Sequence, residues 1–217
     1  MNRVLQRVAL LAATVLVINA AAAATHVAAI SKNSIPPPSK AARQLPIDVT
    51  SSKIERTGDV ASFRDIVITQ GETRVQADRA HVTGLDDFNN SHWTFEGNVK
   101  ITGEQHGSLK SDVAIVEFKN KEISKATATG NPAEFQQKRS DIDEIAKGRA
   151  KEIVYDFTDG TVRLSEEAWV WDGHNELKAH ELIYNIREQR VQATADSNGG
   201  QVHLTIDPNG GDAQKKP

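Results

Sequence analysis

Seven histidines stand at positions 26, 81, 92, 106, 174, 180 and 203, the first candidates for metal or acid-base chemistry. None belongs to the helical His-Glu-x-x-His arrangement that places two imidazoles on one zinc ion, and adjacent His180 and Glu181 leave a strand on opposite faces. The chain has no cysteine, which removes thiol nucleophiles, thiolate zinc sites, disulfides and iron-sulfur clusters together. Strings of the Gly-x-Ser-x-Gly, Ser-x-x-Lys and phosphate-loop types do not occur. A glycosidase needs only two well-placed carboxylates, but Asp86-Asp87, Asp141/Asp143 and Glu166-Glu167 all sit beside turns, where solvated acids are ordinary. These residues predict no catalytic centre, no metal site and no cofactor. The aromatics are more informative. Trp169 and Trp171 are two apart, as are Tyr155 and Phe157, so each pair shares one face of a strand. Such pairs either fill a core or line a groove for an apolar or ring-shaped ligand, and spacing alone leaves both open.

The elements that carry these side chains follow from alternation. Apolar residues recur at period two in Ile66/Ile68, Val99/Ile101, Leu109/Ser111/Val113/Ile115, Ile153/Tyr155/Phe157, Val162/Leu164, Leu182/Tyr184/Ile186 and Val202/Leu204/Ile206, the mark of strands with one buried face. Turn signals separate them at Gln70-Gly71, Thr83-Gly84, Asn120-Lys121, Asp159-Gly160, Asp172-Gly173 and Asn198-Gly199-Gly200. The pattern predicts an all-β sandwich or roll, with Asp141–Ala150 as a short helical turn or a loop. The chain also repeats itself. Ala77-Asp78-Arg79-Ala80, Ser111-Asp112-Val113-Ala114, Ala150-Lys151-Glu152-Ile153 and Ala179-His180-Glu181-Leu182 recur at solenoid-like intervals. Ser62–Thr69 echoes Thr94–Thr102 with one inserted residue. A stack of hairpins has two open ends, which predicts association by strand addition.

Charge and termini set the compartment. With 26 Lys+Arg against 29 Asp+Glu the formal net charge is −3, which excludes a strongly basic nucleic-acid binder and disfavours anionic partners at long range. Residues 1–24 have a basic start, an apolar middle and a small-residue run, the layout of a secretory signal peptide. The rival reading is a retained anchor over Val8–Ile30. Residues 25–46 with Pro36-Pro37-Pro38 read as a flexible linker, 47–207 as the folded domain and 208–217 as a disordered tail.

In their order, Pro46–Ser52, Phe95–Ile101, Gly148–Leu164 and Leu177–Asp196 resemble the LptA/OstA family of periplasmic lipopolysaccharide transport proteins, over about 46–206. Phe63–Ile66 departs from the family's glycine-containing strand, and Ala61–Ser91 looks like an added repeat. The resemblance implies a twisted antiparallel β-jellyroll with an apolar central groove that shields the acyl chains of lipid A. One twelve-carbon chain in water costs about 9 kcal/mol. Family positions match at Ile47, Val49, Phe135, Tyr155 and Phe157, to which Leu164, Trp169 and Trp171 are added as lining. Tyr155→Asp is then expected to impair lipid occupancy more than folding. The implied partners are an LptC-like inner-membrane protein, an LptD-like outer-membrane protein and further copies of the chain, end to end. The alternatives are an LptC-like anchored subunit and, more distantly, a carbohydrate-active enzyme on a β-solenoid.

Overall fold

The computed structural model describes residues 48–207 apart from 86–89, 104–106, 121, 139–144, 173–174, 186–187 and 189. The expected signal segment, linker and tail, and Ile47, lie outside the described residues. Twelve strands are described: β1 (Asp48–Thr50), β2 (Lys53–Thr57), β3 (Val60–Gln70), β4 (Thr73–Thr83), β5 (His92–Thr102), β6 (Ser108–Lys119), β7 (Glu122–Lys138), β8 (Ile145–Asp156), β9 (Thr161–Trp171), β10 (Glu176–Asn185), β11 (Arg190–Thr194) and β12 (His203–Thr205). They form one antiparallel sheet in which chain order is sheet order from β3 to β10. The expected β-jellyroll is thus realised as a single open meander. Short hairpins bring each strand to its neighbour's side before any longer crossing can form. The turn signals carry it: Gly71, Gly84, Asn120, Gly160 and Gly199 all have positive φ. Of the segment Asp141–Ala150, residues 145–150 open β8 instead of forming a helical turn or a loop, and residues 141–144 lie outside the described residues.

Both sheet edges are broken in the same way. β1 and β2, of three and five residues, share the free side of β3. β12 and β11, again three and five, share the free side of β10. The N-terminal break is pinned by Ser51 Oγ, which donates to the Arg64 carbonyl at 2.6 Å, and Ser52 Oγ, which donates to Asp65 at 2.6 Å. Short, interrupted edges limit uncontrolled strand addition.

A crease runs across the sheet at mid-strand. The ladder slips between Gln76 and Arg79, Glu96 and Val99, Lys110 and Val113, Thr129 and Ala133, Arg149 and Glu152, and Ala179 and Glu181. The four-residue repeats of the sequence are this crease seen in β4, β6, β8 and β10. In each, the first and fourth residues are buried: Ala77 and Ala80, Ser111 and Ala114, Ala150 and Ile153, Ala179 and Leu182. A buried-x-x-buried step replaces period two for one turn of the pleat, which bends a strand. The neighbouring strands answer with left-handed residues: Asp65 in β3, Gly97 and Asn98 in β5, Glu166 and Glu167 in β9. The residue that separates the Ser62–Thr69 and Thr94–Thr102 echo is the extra one at that bulge. Bulge parity also corrects one alternation. Leu109 and Ser111 face inward as expected, but after the slip Ala114 and Val116 do so in place of Val113 and Ile115.

Among the described residues no second layer covers the sheet, yet one of its faces is buried on both sides of the crease, from Ile66 and Ile68 in β3 to Leu182 and Tyr184 in β10. The two halves of the bent sheet therefore close over each other. Trp93 is 1% exposed and its indole N–H donates to Ser91 Oγ at 2.9 Å, which in turn donates to the Thr83 carbonyl at 2.9 Å. The alternating stripe Val202, Leu204 and Ile206 departs from this pattern, since all three are exposed beyond the last full-length strand.

Gly97 shows how tight the crease is. Its φ is +75°, and a methyl group there would overlap the Asp78 carboxyl, which accepts from Asn98 Nδ2 at 2.8 Å. Gly97→Ala is expected to lower stability by about 1–3 kcal/mol through left-handed strain and this overlap. A fall in the urea midpoint at unchanged slope is the check.

Candidate functional site

The inner face of the bent sheet holds most of the residues singled out from sequence. Phe135 in β7 and Tyr155 in β8 are each 5% exposed, and Leu164 in β9 is 2% exposed. Val49 in β1 is half-buried opposite fully buried Ile68, on the same face. Phe157 follows β8 and is half-buried, its ring centroid 4.0 Å from that of Tyr155. These side chains do not meet at one point. They are spread along a continuous apolar face that also includes Leu109, Val116, Phe118, Val162 and Leu182.

Packing along this face is close. Phe135 stands opposite Gly148 across the β7–β8 ladder. Its ring lies where a Gly148 side chain would be, against atoms Cε1 and Cζ. An aromatic ring covering a cross-strand glycine restores the packing that the glycine lacks. The small residues Ala146, Gly148 and Ala150 turn inward to make room for it, while Lys147, Arg149 and Lys151 turn out.

Trp169 and Trp171 share a face, as their spacing requires, but it is the other one. Strand alternation that directs Ala168 and Val170 inward sends both tryptophans outward, so they do not line the interior. Each ring is capped by a cation from β8: Arg149 lies 5.2 Å from the Trp169 centroid and Lys147 lies 5.5 Å from that of Trp171. The Trp169 indole N–H donates to Glu176. The ammonium of Lys178, 2.9 Å away, and this indole hold the Glu176 carboxyl below its ordinary value. Beside Trp169 lies a cleft of about 360 Å³ bordered by Lys110, Glu134, Lys147 and Arg149.

At the crease, Lys151 bridges Glu166 and Glu167 at 3.3 and 3.4 Å. These two carboxylates hold its ammonium above the ordinary lysine value. Of the acid pairs considered for a hydrolase, Glu166 and Glu167 are thus surface ion-pair partners of a structural bulge, while Asp86-Asp87 and Asp141/Asp143 lie outside the described residues. Among the described residues no group of three or more metal-ligating side chains is assembled.

Residues 84–190 match the family model described as LptA/(LptD N-terminal domain) LPS transport protein. The chain is 28% identical over 132 residues to lipopolysaccharide export system protein LptH of Pseudomonas aeruginosa, an alignment covering 59% of this chain and 71% of that protein. It is 29% identical over 119 residues to lipopolysaccharide export system protein LptA of Escherichia coli K12, covering 53% and 62% respectively. The crystal structure of LptH, the periplasmic component of the lipopolysaccharide transport device of Pseudomonas aeruginosa, aligns over 77% of this chain and 99% of that chain. The sequence identity there is 23% and the TM-score 0.41.

Proposed function

The chain belongs to the family of LptA and the LptD N-terminal domain, the LPS transport proteins, and from that premise we propose that the inner face of its bent sheet carries lipopolysaccharide acyl chains. It is a periplasmic, LptA/LptH-like component of lipopolysaccharide export and not an enzyme. The observation that carries the acyl-chain reading is the continuity of one apolar face over eight consecutive strands, β3 to β10. At about 4.8 Å per strand that face is about 34 Å long. A twelve-carbon chain exposed to water costs about 9 kcal/mol, so passage through an aqueous compartment requires an apolar face that keeps it covered.

Phe135, Tyr155 and Leu164 are closed off from solvent in the described state. Loading therefore requires the two halves to part about the crease, with acyl carbons replacing the contacts that the halves make with each other. Val49 and Phe157, which are half-buried at its margins, are the points of first contact.

Delivery across the periplasm calls for neighbours at both ends of the sheet. The free sides of β1 and β2, and of β11 and β12, are the edges at which an LptC-like protein, an LptD-like protein or a second copy of this chain adds a strand. The exposed apolar residues Leu204 and Ile206 at the C-terminal edge support an interface there.

Photocrosslinking from position 155, with position 152 on the outward face of β8 as control, tests the interior. A lipopolysaccharide adduct from 155 and none from 152 is the expected result. Equal adducts from both positions, or none from a folded periplasmic protein, would overturn it.

A further inference from the structure

On the outer face, one half of the sheet carries a basic stripe that a net charge of −3 conceals. One row of directly paired outward residues crosses it as Gln76, Lys100, Lys110, Glu134, Arg149, Trp169 and Lys178. The adjacent row runs Arg74, Thr102, Ser108, Gln136, Lys147, Trp171 and Glu176. Together they hold six cationic side chains against two carboxylates. Lys100 directly faces Lys110 across the β5–β6 ladder. Like charges directly opposite each other destabilise a strand pair, so folding does not explain their placement.

We propose that the cleft beside Trp169 is a binding site for phosphorylated sugars, and that its occupant is the phosphosaccharide headgroup of the transported amphiphile. The identity of the occupant rests on the transport reading above. The site rests on geometry. Its volume of about 360 Å³ falls in the range of small-ligand sites and suits a sugar phosphate. Lys110, Lys147 and Arg149 surround it, with Glu134 as the one acid among its lining residues. The Trp169 ring, 5.2 Å from the Arg149 guanidinium carbon, holds that cation beside the cleft, where its fork suits two phosphate oxygens. Ser108 and Gln136 add hydroxyl and amide groups for sugar hydroxyls, and the edge of the Trp169 ring offers an apolar surface to the sugar. Because this site faces away from the interior, it engages the soluble end of one molecule while the acyl chains of another, or of the same molecule at the sheet's margin, occupy the groove.

The test titrates N-acetylglucosamine 1-phosphate into the protein and follows the indole N–H resonances. Trp169 and Trp171 are expected to shift in a saturable, salt-sensitive way, while Trp93, hydrogen-bonded inside the core, stays in place. Lys147→Gln combined with Arg149→Gln, both exposed positions, is expected to weaken binding at least tenfold while the protein stays folded, with only a small fall in the urea midpoint from the lost ring contacts. Equal shifts with N-acetylglucosamine or inorganic phosphate would overturn the proposal, as would a double variant that binds normally. Binding to phosphatidylglycerol vesicles without a response to the sugar phosphate would reassign the stripe to a membrane surface and overturn it too. Crosslinking at position 155 reports the interior independently. Loss of sugar-phosphate binding with intact adducts removes this site alone, and the reverse result removes the acyl-chain reading alone.

Discussion

Gly148→Val is expected to leave no folded protein at 25 °C, and Gly148→Ala to cost about 1–3 kcal/mol as an overpacking change. A side chain at 148 meets the ring of Phe135 directly. That ring has nowhere to go: on its other side Phe135 pairs with Leu109, itself 2% exposed. Valine adds two more methyl groups to the same overlap. The cause is checked by a double-mutant cycle in urea. Phe135→Leu alone leaves a cavity over the glycine, but in combination with Gly148→Ala the new methyl fills it. A coupling energy of about 1 kcal/mol or more in the favourable direction is expected. Additive losses would show that the two residues do not share the space assigned to them.

Tyr155→Asp is expected to unfold the protein at neutral pH, which revises the outcome anticipated from sequence, where lipid occupancy was to suffer first. Tyr155 is 5% exposed and pairs with Ala126 and Val162, both buried. Deleting a buried aromatic costs about 3–5 kcal/mol, and an unpaired carboxylate adds a desolvation penalty. Together these approach the whole stability of a domain, about 5–15 kcal/mol. Burial raises the folded pKa of such an aspartate above its unfolded value, so the loss is relieved as pH falls through the folded value. Circular dichroism of the variant and the parent protein between pH 7 and 5 checks the sign, with relative recovery at the acidic end. Tyr155→Leu keeps the position apolar at a smaller volume, avoids the buried charge, and is the variant that separates ligand effects from folding.

Much of the fold was legible because its signals are local. Alternation at Ile66/Ile68, Val99/Ile101 and Val162/Leu164, with glycine or asparagine at the turns, needs no knowledge of distant residues. Residues 145–150 were harder to place because their inward positions are alanine and glycine, which carry no apolar signal; the pairing of Phe135 with Gly148 explains them only after the strands are side by side. The tryptophans failed differently. Their spacing fixed that they share a face, but which face depends on the parity set by Ala168 and Val170, and large aromatic rings are usually inside. The basic stripe lay beyond any reading of total charge, because its members come from separate strands that meet only through the register.

The crease has a consequence for size. Every strand from β3 to β10 bends at its own middle, so a hairpin inserted anywhere in the series would bring its own corner with it. Each added hairpin lengthens the sheet by about 10 Å along the crease and leaves the cross-section as it was. Bore and reach are therefore independent: the bore is set by where the bulge falls within a strand, and the reach by how many hairpins are counted out. A lineage can in this way adjust the span of such a protein in fixed increments without redesigning what the trough holds.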